Sequence, residues 1–213
     1  PKHEPDGVAY VIRLCWTYWK VTGDTSWTNN PGYTGFRAYS AFSNALYHLR
    51  YEQTNAHGGT TTGMVWCGYR PSDDECVYHY NVPVNMFIAT MMPKLKEMCQ
   101  SFGWSDLTNK CTEIETNIRN GIENYAKYNH PIYGTIWAYE VDGTGNQLLM
   151  DDANVPSLLS APYIGFCSNN DPVYINTRNF ILSTNNPYYF SGSYAAGIGS
   201  PHTPSGRAWP CLL

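Results

Sequence analysis

The sequence predicts a mainly α-helical fold, in which helix pairs joined by polar loops close into an α/α toroid around a central pocket and a β-hairpin projects from the helical body. Three observations predict it. Apolar residues recur at the i, i+3, i+4, i+7 spacing of a helix through several long segments. The connections between those segments are polar and hold the densest groups of acids, so the chemistry is gathered in loops. One stretch near residue 140 abandons the helical period and alternates around "DGTGN", the mark of a two-stranded turn.

The elements follow in order. Residues 8–21 place Val8, Val11, Ile12, Cys15, Trp16 and Trp19 on one helical face, and Gly23 is suited to end that helix. Residues 36–54 do the same with Ala38, Ala41, Phe42, Ala45, Leu46 and Leu49, before the flexible "NAHGGTTTG". Residues 82–103 form an apolar helix that Pro93 should kink or restart. Residues 112–128 read as a helix opened by a Thr112-x-x-Glu115 capping box. The hairpin over 132–150 comes next. A short helix over 151–167 is expected, with Pro156 in its first turn. Asp171 and Pro172 open a further helix, and the Gly- and Pro-rich residues 185–210 read as loop.

Composition narrows the function. Only 14% of the 213 residues are charged, the net charge is -4, and no basic stripe marks a nucleic-acid surface. No apolar run is long enough to cross a membrane. The first residues, "PKHEPDGVAY", lack a signal-peptide pattern. Aromatic residues reach 15%, with 18 Tyr and 7 Trp. Their flat apolar faces and polar edges suit sugar rings, and they serve equally to pack helices together. Seven cysteines exceed what a cytosolic enzyme of this size needs, which leans the reading toward a secretory or extracellular setting and allows one or two disulfides.

Three loop clusters hold the polar residues of interest: Arg70, Ser72, Asp73, Asp74 and Glu75; then Asp151, Asp152 and Asn154; then Ser200, His202 and Thr203. His3, Glu4 and Asp6 form a weaker fourth. Each borders a helix, so all could meet at one end of a helical barrel. Glycoside hydrolysis needs two carboxyl groups, one of them holding a proton for the leaving oxygen, and a neighbouring acid helps it do so. Asp, Asn, Arg and His are the groups that grip sugar hydroxyls. Each feature also has a plainer explanation. An Asp-Asp pair ahead of a helix serves as a cap, Arg70 can bridge to a core carboxylate, and His202 can be an ordinary loop residue. Two Asp pairs and a histidine could also hold a divalent metal.

Four ordered motifs narrow the choice: "GYRPSDD", "MDDANVPSLLSAPYIGF", "NPYYF" followed by a glycine, and "GIGSPHTP" followed by "WP". They closely resemble the metal-independent exo-α-1,6-mannosidases of glycoside hydrolase family 125. "KHEPDGVAY" is also similar to a family stretch, matching Glu4 and Asp6. The resemblance implies an (α/α)6 barrel and an inverting, exo-acting enzyme that removes terminal mannose from α-1,6-linked mannosides without a metal or other cofactor. It puts the general acid on Asp73 or Asp74 and lines the pocket with Arg70, Asp151, Asp152, Asn154 and His202. The partner it implies is a mannose-containing oligosaccharide, with no nucleic acid or membrane and no implication for oligomeric state. Cys67 and Glu75 depart from the family pattern, which has small residues there. The family's "GDIPAMWLRDS"-like segment and the "GFMHESF"-like segment bearing its general-base Glu are not found among these residues. Residues 1–213 are therefore expected to be a single catalytic-domain segment, incomplete at both ends and about half of the toroid. A catalytically inactive mannose-binding homologue and an (α/α)6 glycosidase for another sugar are the alternatives.

Overall fold

The structure, a computed structural model, describes residues 3–29, 37–55 and 57–209. Its helices are α1 (Asp6–Thr22), α2 (Ala38–Thr54), α3 (Val82–Ser101), α4 (Ser105–Tyr125) and α5 (Pro172–Ile181). Short strands connect them: β1 (Tyr80–Asn81), β2 (Lys127–His130), β3 (Gly134–Trp137), β4 (Glu140–Val141), β5 (Gln147–Leu148), β6 (Tyr189–Ser191) and β7 (Ala196–Ile198).

The centre of the fold is α3, whose first half is mostly apolar all round and buried from Val82 through Met92. Such a helix belongs in a core. It packs against α1 and α4, and α2 packs against α4. Asn81 caps α3 by accepting the Val84 N–H at 3.1 Å. The helix runs uninterrupted across Pro93, so it neither stops nor restarts there. Pro93 itself is exposed, and the buried turns on either side, through Met92 and again at Leu95, Met98 and Cys99, hold the helix against the proline's penalty of about 3 kcal/mol. Gly23 ends α1 as expected, with φ 70° and its N–H donated to Trp19 O at 2.8 Å. The large rings near this end are packing elements: Trp19 and Trp27 meet Phe102 edge to face, and Phe102 meets Trp104 in the same way.

Other expectations are corrected. The Thr112–Glu115 capping box does not open α4, which begins seven residues earlier at Ser105 with Asp106 in its first turn. Thr112 lies inside the helix and donates its hydroxyl back to Thr108 O. Leu107, Cys111, Ile114, Ile118 and Ile122 extend the buried face over both halves. The short helix over 151–167 is absent, and the backbone there is a series of turns. Its donors go to side chains instead, since Asp151 accepts the N–H groups of Leu158 and Leu159 and Ser160 Oγ accepts that of Ser157. The six described cysteines, Cys15, Cys67, Cys76, Cys99, Cys111 and Cys167, are free thiols that pack in or against the core as small apolar groups. Cys211 and the start of the predicted 36–54 helix at Phe36 lie outside the described residues.

The "DGTGN" hairpin is present. β4 and β5 pair antiparallel around it, and β1 adds to β4 with Asn81 opposite Glu140. Asp142 gathers the turn by accepting hydrogen bonds from the backbone and side chains of Thr144 and Asn146. Desolvation opposes its charge, but these bonds outweigh it and bring Asp142 down to about 2. Two further hairpins, β2–β3 and β6–β7, were not anticipated.

Two contacts position the loops. Gly63 and Gly121 let the loop before residue 66 press against α4. A Cβ on Gly121 would lie 2.6 Å from Thr62 O, and one on Gly63 would lie 2.8 Å from Asn117 O. The loop continues into a tight hairpin closed by Cys67 N–H to His79 O, Cys76 N–H to Gly68 O and Arg70 N–H to Asp74 O. The hairpin is anchored by a buried ion pair in which Arg70 Nε donates to Glu140 Oε1 at 2.5 Å and a terminal nitrogen donates to Oε2 at 3.2 Å. Glu140 Oε2 also accepts the N–H groups of Val77 and Tyr78. Arg70 is 5% exposed and Glu140 not at all.

Two stability predictions follow from these contacts. Gly121→Ala should lower unfolding free energy by about 1–3 kcal/mol in urea titrations, because the neighbour that must yield is backbone. Glu140→Ala should cost about 3–5 kcal/mol by leaving a buried guanidinium unpaired, whereas the double replacement Arg70→Met, Glu140→Leu should cost far less than the sum of the single changes.

Candidate active site

The tip of the 66–79 hairpin is the turn Arg70-Pro71-Ser72-Asp73-Asp74, closed by Asp73 N–H to Arg70 O at 3.0 Å. Asp73 adopts φ 68°, left-handed backbone that aspartate tolerates better than most residues. Strained backbone of this kind collects at functional sites. The turn leaves Asp73 exposed, half-buries Asp74 and buries Ser72.

A second loop, 150–159, leaves β5 and meets this tip. Asp152 is fully buried, and its Oδ2 accepts the Ser72 hydroxyl at 2.7 Å. Asn154 Nδ2 donates to Pro71 O at 3.0 Å, and the Asn154 N–H reaches Asp152 Oδ1 at 3.4 Å. The third loop follows β7. Gly199 N–H donates to Tyr188 O and Gly199 O accepts the Ala153 N–H. Only glycine fits there, since a Cβ would lie 2.5 Å from Arg207 O. Ser200 Oγ then stands 3.3 Å from Asp152 Oδ2 and accepts the His202 N–H at 3.1 Å. His202, half exposed, brings Nδ1 to 3.5 Å from Asp74 Oδ1. Asp74 Oδ2 is 3.2 Å from Ser72 Oγ, which completes a closed ring: Ser72, Asp152, Ser200, His202, Asp74. Three loops distant in sequence thus share one polar cluster.

The electrostatics are uneven. Burial pushes Asp151 up to about 7, against the hydrogen bonds from Leu159 and Leu158 that favour its charge. Burial also raises Asp152, against Ser72, Asn154, Ser200 and the positive charge of Arg70. Asp6 is raised by burial and by the negative charges of Glu4 and Asp73. The N-terminal segment therefore lies beside the hairpin tip, tied there by His3 O, which accepts the N–H groups of Gly68 and Tyr69. Glu4 is exposed.

The structure thus brings Asp74, Asp152, Asn154 and His202 together, with Asp73 and Asp6 adjacent. Asp151 turns inward, where it organises the 157–159 turn and receives no side chain of the ring. Arg70 is committed to Glu140, with its guanidinium 5.7 Å from the Tyr139 ring centre. Glu140 and Asn186 were not anticipated. Glu140 sits in an alternating strand, where a carboxylate reads as a solvent-facing position. Asn186 opens the "NPYYF" motif, and its Oδ1 accepts from Asp151 N–H and Tyr188 N–H, joining two of the loops. Among the described residues no group of three or more His, Cys, Asp or Glu side chains is arranged to hold a metal ion.

Comparison with known proteins identifies the family. The family model for metal-independent alpha-mannosidases (GH125) matches residues 39–213. The Meiotically up-regulated gene 157 protein of Schizosaccharomyces pombe is 36% identical, over 100% of this chain and 47% of its own length. A solved structure from Streptococcus pneumoniae, a metal-independent alpha mannosidase in a non-productive complex with alpha-1,6-mannobiose, superposes with a TM-score of 0.91 at 35% identity. It covers 99% of this chain and 54% of the other, so the chain spans about half the length of the relatives it matches. The helices described above are accordingly part of an (α/α)6 barrel. With the family match extending over all three loops of the polar ring, the chain belongs to the metal-independent alpha-mannosidases, GH125.

Proposed function

We propose that the whole protein is an inverting, exo-acting glycoside hydrolase that releases terminal mannose from α-1,6-linked mannosides. The observation that carries this reading is the ring that joins the "RPSDD", "DDAN" and "GSPHT" loops. It holds Asp74 and Asp152 close together, the latter raised by burial, beside the polar side chains that grip sugar hydroxyls. The α-1,6-mannobiose bound to the Streptococcus pneumoniae relative supports the sugar and the linkage.

In this mechanism the Asp73–Asp74 pair supplies the proton to the leaving glycosidic oxygen. Asp74 is the member tied to the ring, and Asp73 projects from the strained turn into solvent. A second carboxylate activates water on the opposite face of the sugar, at about 6.5–9.5 Å from the first. It is expected from a Glu outside these residues. His202 and Asn154 are placed to bind hydroxyls of the terminal mannose, with Asp6 and Glu4 bordering the same loop.

The test is hydrolysis of α-1,6-mannobiose by the whole natural polypeptide, with the anomer of the first mannose released read by NMR. Inversion gives β-mannose first. Activity should persist in excess chelator, and Asp73→Asn, Asp74→Asn together should lower kcat by about 10²–10⁴-fold. Saturable mannobiose binding without turnover would point instead to a binding homologue. Preference for another sugar across a panel of aryl glycosides would overturn the substrate assignment.

A further inference from the structure

The ring is one hydrogen short. Ser72 Oγ lies 2.7 Å from Asp152 Oδ2 and 3.2 Å from Asp74 Oδ2. A serine hydroxyl has a single hydrogen to donate. With both carboxyl groups ionised it can satisfy one, and the other faces its oxygen lone pairs. Both contacts become hydrogen bonds only if one carboxyl keeps its proton and donates it to Ser72 Oγ, while Ser72 donates to the other. Ser72 and Asp152 are 3% and 0% exposed, so solvent gives them little relief, whereas Asp74 is half-buried. A buried polar contact left unmade is costly.

We propose that Ser72 holds one shared proton between Asp74 and Asp152 at neutral pH, so that Ser72 and Asp152 are positioning residues that keep Asp74 in its acid form. The surrounding groups agree with one proton rather than two. Arg70, the Asn154 N–H and the Ser200 hydroxyl favour an anion at Asp152, while burial opposes it. Near Asp74 stand His202, at 3.5 Å, and Asp73, the next residue in the chain. The proton can also move. When it rests on Asp152, the Asp152 Oδ2–H bond breaks, that proton joins Ser72 Oγ, and the original Ser72 proton passes to Asp74 Oδ2, so that one proton has moved from Asp152 to Asp74, the hydroxyl is regenerated and the negative charge rests on Asp152. Asp74 then gives this proton to the leaving oxygen, both carboxyl groups are left ionised, and solvent returns one proton to the pair after product leaves.

The catalytic consequence rests on the mannoside-hydrolase reading, but the shared proton does not, so the two are measured separately. In the whole natural polypeptide, ¹³C NMR titration follows the Asp74 and Asp152 carboxyl carbons, assigned through their Asn variants. The pair should titrate in two steps, the upper one well above the ordinary carboxylate range. Ser72→Ala should lower that upper step and move the basic limb of the kcat/KM profile on α-1,6-mannobiose about one pH unit toward acid, a tenfold loss on that limb. Ser72→Thr, which keeps the hydroxyl, should restore both. Asp152→Asn should also move the limb toward acid. Its amide can donate to Ser72, whose hydroxyl then stabilises the Asp74 anion. Simple titration of both carbons in the ordinary range in the unaltered protein, or an unchanged upper step in folded Ser72→Ala, would overturn the proposal. Two-step titration without hydrolysis would leave it standing and remove the mannosidase reading.

Discussion

A buried guanidinium needs a partner, and here that partner organises the site. Arg70 and Glu140 join the hairpin of residues 66–79 to the β1–β4–β5 sheet. The same carboxylate takes two backbone N–H groups from the returning arm of the hairpin, so one side chain sets both strands. Ser72, Asp73 and Asp74 sit immediately past Arg70, and their positions depend on where this pair holds the turn. The 150–159 loop leaves β5 of the same sheet. Two of the three loops that form the polar ring are therefore referenced to one ion pair, and the third reaches them through Gly199 and Asn186. Desolvating such a pair is expensive, and its geometry is what makes it useful.

The crowding of acids in "RPSDDE" has a physical resolution. The turn separates them, sending Asp73 outward and Asp74 toward His202 and Ser72, while Glu75 stays on the exposed surface beside Tyr69. Repulsion is reduced by geometry first and by hydrogen bonds second. A chain with so little charge elsewhere can then hold carboxyl groups of several kinds within one small region: Asp152 buried and raised, Asp74 half-buried, Asp73 in solvent.

Much of this was legible in the sequence. The spacing of Val8 to Trp19 and the glycine at position 23 mark α1, and Asp171-Pro172 marks the start of α5, because local chemistry decides both. The capping box at Thr112 misled because a T-x-x-E pattern is satisfied equally well inside an amphipathic helix. The 151–167 stretch misled because an acidic turn followed by Pro156 suits the first turn of a helix, yet Asp151 and Ser160 take the backbone donors a helix would use. At the site, residues adjacent in sequence were readable as clusters, and their meeting followed from the family motifs. That Arg70 can bridge to a core carboxylate was readable, but its partner Glu140 was not, since the two lie 70 positions apart and nothing local distinguishes a buried strand carboxylate from an exposed one.

The close approach of the Gly63 loop to the Gly121 turn of α4 has an evolutionary side. Each backbone occupies the space that a side chain on the other segment would need, so a side chain at either position meets the same close approach. A lineage could change one only by moving α4 away from the loop that feeds the hairpin, and that movement would carry the acidic turn with it. Substitution at these two glycines is thereby coupled to the position of the hairpin tip. Their persistence or loss in a descendant would register whether that chemistry was still under selection.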